Sequence, residues 1–80
     1  MEKRLVFAVA STVRHFRKIN NMSQEALADK ANLDRTYISG VERGVRNITL
    51  DSLELIVKAL DIDMKTFLIK TSEELTINRQ

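Results

Sequence analysis

The stretch Ser23–Gly44, SQEALADKANLDRTYISGVERG, sets two capped helical patterns around a turn of only a few residues. Ser23 is placed to accept from the free amides of a first turn, Glu25 sits where the helix dipole favours an anion, and the alanine-rich run that follows has high helix propensity. Leu27, Ala28 and Ala31 then form one inner stripe. Asn32 and Leu33 break the period. Asp34 offers a carboxylate to the amides of a second helix, in which Ile38 and Val41 recur at the three-residue spacing of a buried face. Gly44 closes it, as a left-handed residue just past a helix does.

A small-residue helix crossing directly behind a second helix is the arrangement that lets the second one enter a major groove, because Ala28 and Ala31 permit close approach. The spacing leaves Arg35, Thr36, Ser39, Gly40 and Arg43 on the outside of that second helix, with Tyr37 flanking the same end. Arginine can bond guanine O6 and N7 in a bidentate fork, and hydroxyls can reach base edges or phosphates. Any surface helix shows a polar face. Here the caps, the spacing, the turn length and the basic face agree, and they point to double-stranded DNA. Arg35 is expected to read a base edge most strongly, with Thr36 and Ser39 contributing. Tyr37 is expected at sugar, phosphate or the minor groove, and Arg43, Arg46 and Asn47 against the backbone. Gly40, in mid-helix, gives up about 1 kcal/mol relative to alanine, and its expected reason is room for DNA or for another backbone.

Three further helices complete an all-α, five-helix reading. The first runs from Glu2 or Lys3 to Ile19, with Val6, Val9, Val13 and Phe16 as its stripe, Leu5, Ala10 and Ile19 beside it, and Asn20 and Asn21 closing it. After the basic connection Val45-Arg46-Asn47, Thr49 caps a fourth helix, and Ile48 can staple onto Leu53. Its inward residues are read as Leu50, Leu53, Ile56, Val57 and Leu60. A fifth helix starts after Asp63, with Ile62 and Phe67 in the same staple relation, and ends near Lys70. The domain is therefore drawn over residues 1–72, with residues 73–80 expected as a flexible tail that includes the solvating pair Glu73 and Glu74.

A chain of 80 residues buries only about 60 to 65% of its unfolded surface, so one modest core is expected and a second domain is not. The residues Met64, Phe67, Leu68 and Ile69, with Leu55 or Leu60, offer more apolar area than such a core should absorb, which points to a dimer surface; the alternative is that all of them are core. Reading helices of this kind pair on palindromic half-sites about one helical turn apart. Net charge is only +2, but it is uneven: residues 1–46 carry nine Lys/Arg against five Asp/Glu, and residues 47–80 four against six. The basic half contains the reading helix, as a polyanionic partner requires. There is no cysteine, which excludes disulfides and thiolate metal sites and suits a reducing cytoplasm. The apolar patch Leu5–Val13 is too short for a membrane span and runs into Arg14, His15, Arg17 and Lys18. No nucleophile–base pair, phosphate loop or metal-spaced cluster is present, so neither catalysis nor a cofactor is expected. The lone His15 reads as an exposed surface residue.

Gln24, Leu27-Ala28, Leu33, Ile38-Ser39, Glu42 and Gly44 resemble the Cro/repressor-type helix-turn-helix family. The longer string NLDRTYISGVERGVRNITLDSLELIVKAL, Asn32–Leu60, is similar to the controller proteins of restriction-modification systems. That resemblance implies a homodimer joined through its C-terminal helices, acting as activator and repressor of its own promoter. It implies that Gln24 grips a phosphate, and that Glu42 pairs with Arg17 of the first helix, partly buried. Activation implies a surface facing RNA polymerase, for which Glu25 and Asp29 are the candidates. Two other readings share the pattern: an antitoxin-type interaction module and a phage-type repressor.

Overall fold

In the computed structural model, which describes residues 3–77, five helices follow one another in the order α1 Arg4–Ile19, α2 Gln24–Ala31, α3 Arg35–Glu42, α4 Leu50–Ala59 and α5 Met64–Ile77. Among the described residues there is no strand. Four of the helix starts are set by side chains the sequence places there. Ser23 Oγ accepts from the Ala26 amide at 2.9 Å, Asp34 Oδ1 from Thr36 at 2.9 Å, Thr49 Oγ1 from Ser52 at 3.0 Å and Asp63 Oδ1 from Thr66 at 2.7 Å. The chain turns out of α1 to α4 through left-handed residues, Asn21, Asn32, Gly44 and Asp61. Three of these are Asn or Asp, whose short polar side chains tolerate that region.

The core gathers one stripe from each helix. Val9 and Val13 come from α1, Leu27, Ala28 and Ala31 from α2, Ile38 and Val41 from α3, Leu53, Ile56, Val57 and Ala59 from α4 with Leu60 at its end, and Phe67 from α5. The α1 stripe is narrower than its spacing suggests. Phe16 is only half-buried, and Leu5 and Ile19 are exposed. Thr12, in contrast, is fully buried, its hydroxyl 2.8 Å from the Ala8 carbonyl and 3.0 Å from the hydroxyl of Thr71 on α5. This hydroxyl pair and the Phe16–Phe67 ring contact at 6.4 Å lie where α5 lies along α1. Asn20 Nδ2 donates to the Leu60 carbonyl at 2.8 Å and ties the end of α1 to the end of α4.

Two expectations change at this level. Leu50, expected inside, is 80% exposed. Its angular position matches the α4 stripe, but as the first residue of that helix it projects past the residues that would cover it, and it edges a groove with Leu5, Val6, Val9, Ile48 and Leu53. The fifth helix does not stop near Lys70 but continues to Ile77, so residues 73–77 are not a tail. Thr71 anchors the extension on α1, and Lys70 Nζ reaches Glu74 at 3.2 Å and Glu73 at 4.0 Å, pairing side chains one turn apart. The rest of the expected tail, residues 78–80, lies outside the described residues, as does Glu2 at the expected start of α1.

Candidate nucleic-acid interface

The position of α3 is set by the residues behind it. Ile38 and Val41 pack against α2 and the α1 core, and Glu42, 3% exposed, turns its carboxylate into the angle between α1 and α2. Arg17 meets that carboxylate as a fork, Nε to Oε2 at 2.6 Å and Nη2 to Oε1 at 2.9 Å, while its Nη1 donates to the Met22 carbonyl at 2.8 Å. Gln24 Nε2 donates to Glu42 Oε1 at 3.1 Å. Arg14 Nη2 donates to the Glu42 backbone carbonyl at 2.7 Å, occupying one of the acceptors a helix leaves open at its end. Thus α1, α2 and α3 meet at a single carboxylate. Its hydrogen bonds raise the Arg17 pKa above the usual arginine value against the opposing effect of burial, and its charge adds to them. An ion pair with its carboxylate buried and bonded at both oxygens favours one geometry, because a rearrangement that breaks it strands that charge in the interior.

With α3 fixed from behind, its opposite side is open. Arg35, Thr36 and Arg43 are exposed and Ser39 is half-exposed, and at about 100° per residue these four fall within one sector roughly 100° wide. The residues expected to read bases are therefore brought together on one outward stripe, with Arg43 at its end.

Several other expected contacts sit differently. Gly40 is buried rather than outward, and a Cβ there would lie 2.5 Å from Arg46 Cγ, so the space it leaves is taken by Arg46 and not by DNA. Tyr37 is half-buried against the core, and its hydroxyl is enclosed with no hydrogen-bond partner among the described residues. Arg46 lies over the Tyr37 ring, 5.5 Å from its centroid, so an arginine expected as a backbone clamp is also held along the flank of α3 by a cation–π contact. Gln24, expected at a phosphate, already donates one amide hydrogen to Glu42. Asn47 is exposed beside Arg46.

The expected dimer surface divides. Phe67 and Leu60 are 0% exposed and belong to the core, and Met64 is half-buried against it, because α5 turns Phe67 and Met64 inward and Leu60 closes the end of α4 beneath them. Leu55, Leu68 and Ile69 remain exposed. His15 is exposed, edge-on to Phe16.

Sequence reading missed three residues. Arg14 acts through a backbone carbonyl, which no residue type announces. Phe7 is half-exposed, yet its ring fills the space beside Gly44, where a Cβ would come 2.4 Å from Cε1. Gly44 therefore answers two demands at once, a φ of +73° and close approach of a ring. Thr71 carries a polar name at a core position, and only its four-residue step from Phe67 hints at its burial.

A family model for the helix-turn-helix matches residues 13–67. The chain belongs to the helix-turn-helix family. Within that family it is 47% identical over 62 residues to Control protein C.SmaI of Serratia marcescens, covering 78% of this chain and 74% of that protein. The wild-type restriction-modification controller protein C.Esp1396I superposes with a TM-score of 0.88 at 43% identity, covering 92% of this chain and 96% of that one. The same relative has been solved as a tetramer in complex with its natural 35 base-pair operator. That chain superposes with a TM-score of 0.87 at 44% identity over 90% of this chain and 95% of its own. The helix-turn-helix matched by the family is α2 and α3, the pair joined here through Glu42.

Proposed function

We propose that this helix-turn-helix protein is a sequence-specific transcription regulator that binds a palindromic DNA operator as a homodimer and controls the genes of a restriction-modification system, its own included. The observation that carries the reading is the open stripe Arg35, Thr36, Ser39 and Arg43 on a helix whose opposite side is fixed by a buried carboxylate. Support comes from the relatives: C.SmaI is a control protein, and C.Esp1396I binds operator DNA. Arg35 would supply base recognition through its guanidinium fork, Thr36 and Ser39 shorter contacts, and Arg43, Arg46 and Asn47 contacts to the backbone. Leu55, Leu68 and Ile69 are the residues we place at the dimer interface, with Met64 at its edge.

Footprinting of the purified protein on the DNA immediately upstream of its own gene tests this. Protection of an inverted repeat is expected. Arg35→Ala is expected to lose discrimination of about 1 to 3 kcal/mol at one base pair of each half-site, whereas Arg46→Ala weakens operator and random DNA alike. Equal losses on both DNAs for the two variants would refute the assigned roles. Glu25 and Asp29, exposed on α2, are the residues we place toward RNA polymerase during activation. Reversing both charges is expected to remove activation in a reporter assay while leaving operator affinity intact.

A further inference from the structure

A cleft lies between the N-terminal half of α1 and the end of α3, and of its lining residues only Arg43 is placed at DNA above. It encloses about 410 Å³ and is lined by Arg4, Phe7, Ala10, Ser11, Arg14, Glu42 and Arg43. Three of the seven lining residues are arginines, and Glu42 is the one acid among them. The single charge of Glu42 faces two arginines, Arg17 Nε at 2.6 Å and Arg14 Nε at 3.9 Å, so these three groups alone leave one positive charge over. That surplus resides on Arg14. Its side chain is 45% exposed, and its one close hydrogen bond goes to the Glu42 carbonyl, out of the five N–H donors a guanidinium carries. The small side chains Ala10 and Ser11 leave room in front of it, and the Ser11 hydroxyl adds a donor to the cleft wall.

Where the cleft opens decides what it can hold. Arg43 lies on the same sector of α3 as Thr36 and Ser39, so the cleft mouth continues the reading stripe at its C-terminal end. An eight-residue helix spans about 12 Å, close to the width of a B-form major groove at about 12 Å. A helix laid across the groove would bring its last turn, and the cleft beside it, to the phosphate rim. We propose that this cleft is a phosphate site for the duplex, in which Arg14 and Arg4, with Arg43 at the mouth, hold a backbone phosphate flanking the bases that Arg35 reads. The contact surface then extends from the helix-turn-helix onto the first half of α1. This inference rests on the DNA-binding reading.

The test uses the full chain, a random-sequence duplex of about 30 base pairs and a duplex of the same length carrying the footprinted operator. Binding is followed by fluorescence anisotropy across a salt series for the native chain, Arg14→Ala and Arg4→Ala, with thermal melting of each. Each phosphate contact contributes about 0.9 to the slope of log K against log salt. Each variant is therefore expected to be shallower than the native chain by roughly that amount, and to bind roughly eightfold more weakly near 0.1 M salt. The ratio of operator to random affinity stays unchanged. Native slopes in both variants overturn the phosphate site, and so does a loss confined to operator DNA, which would place the arginines in support of the reading helix only. If Arg14→Ala melts too low to measure, Arg14→Gln, which keeps an N–H donor for the Glu42 carbonyl while losing the charge, decides the outcome. A native chain that shows no salt-dependent binding at all would instead sink the DNA reading itself.

Discussion

Glu42 joins three helices, and its removal is among the most costly single changes the structure suggests. With the carboxylate gone, Arg17 keeps a half-buried charge, with only the Met22 carbonyl to receive it. Glu42→Ala is expected to cost about 3 to 5 kcal/mol through that stranded cation, read as a lowered urea midpoint with an unchanged slope. A cost below about 1 kcal/mol, the range of exposed pairs, would mean that the pair is solvated in solution. At this scale the sequence was informative wherever a residue type has one local use. Ser23, Asp34 and Thr49 were legible as caps, and Gly44 as a left-handed terminator. Gly40 was not, because its neighbour Arg46 arrives from beyond the end of the helix. The enclosed Tyr37 hydroxyl was also unreadable, since tyrosine more often finds a partner when buried.

At the scale of elements, the fifth helix shows how a start can be legible when an end is not. The helix starts just after Asp63 as expected, and Asp63 caps it: the hydroxyl and then the amide of Thr66, with Lys65 adding its charge, hold the Asp63 carboxyl below the usual aspartate range. A carboxyl whose folded pKa is depressed stabilises the fold above its unfolded value, and that contribution is lost as pH falls through the folded one. Thermal stability of the native chain is therefore expected to fall more steeply below about pH 4 than that of Asp63→Asn, which caps without titrating. Parallel acid limbs for the two proteins would count against this cap as an acid-sensitive contact. The sequence places the end of α5 short because Ser72, Glu73 and Glu74 look like a solvated tail and the unbroken apolar run Phe67–Ile69 has no successor before Leu75. Its continuation depends on Thr71 meeting Thr12 across the interface and on Lys70 reaching back to Glu74. Both are contacts between polar residues that hydrophobic periodicity does not register.

For the whole molecule, the question is which apolar side chains the fold leaves outside. An 80-residue chain has a small interior, and here it closes around Phe67 and Leu60 while Leu55, Leu68 and Ile69 stay on the surface. Composition could say that the apolar supply exceeds the core but not which residues form the excess, since Phe67 and Leu68 are neighbours with opposite fates. Replacing Leu68 and Ile69 together by glutamate is expected to preserve the fold, shift the sedimentation equilibrium toward monomer and weaken operator binding. By contrast, Phe67→Ala is expected to lose about 3 to 5 kcal/mol of stability through a core cavity. An unchanged association state in the double variant would move the interface elsewhere, the exposed groove at Leu50 being the next apolar face.

The ring of Phe7 against Gly44 has a consequence for descent. A β-carbon at the later position has no room until the aromatic at the earlier one is traded for something smaller, and the positive φ there already favours glycine. Far apart along the gene, these two codons are tied together. Among kindred chains, a side chain at the second site is expected to travel with a slimmer residue at the first.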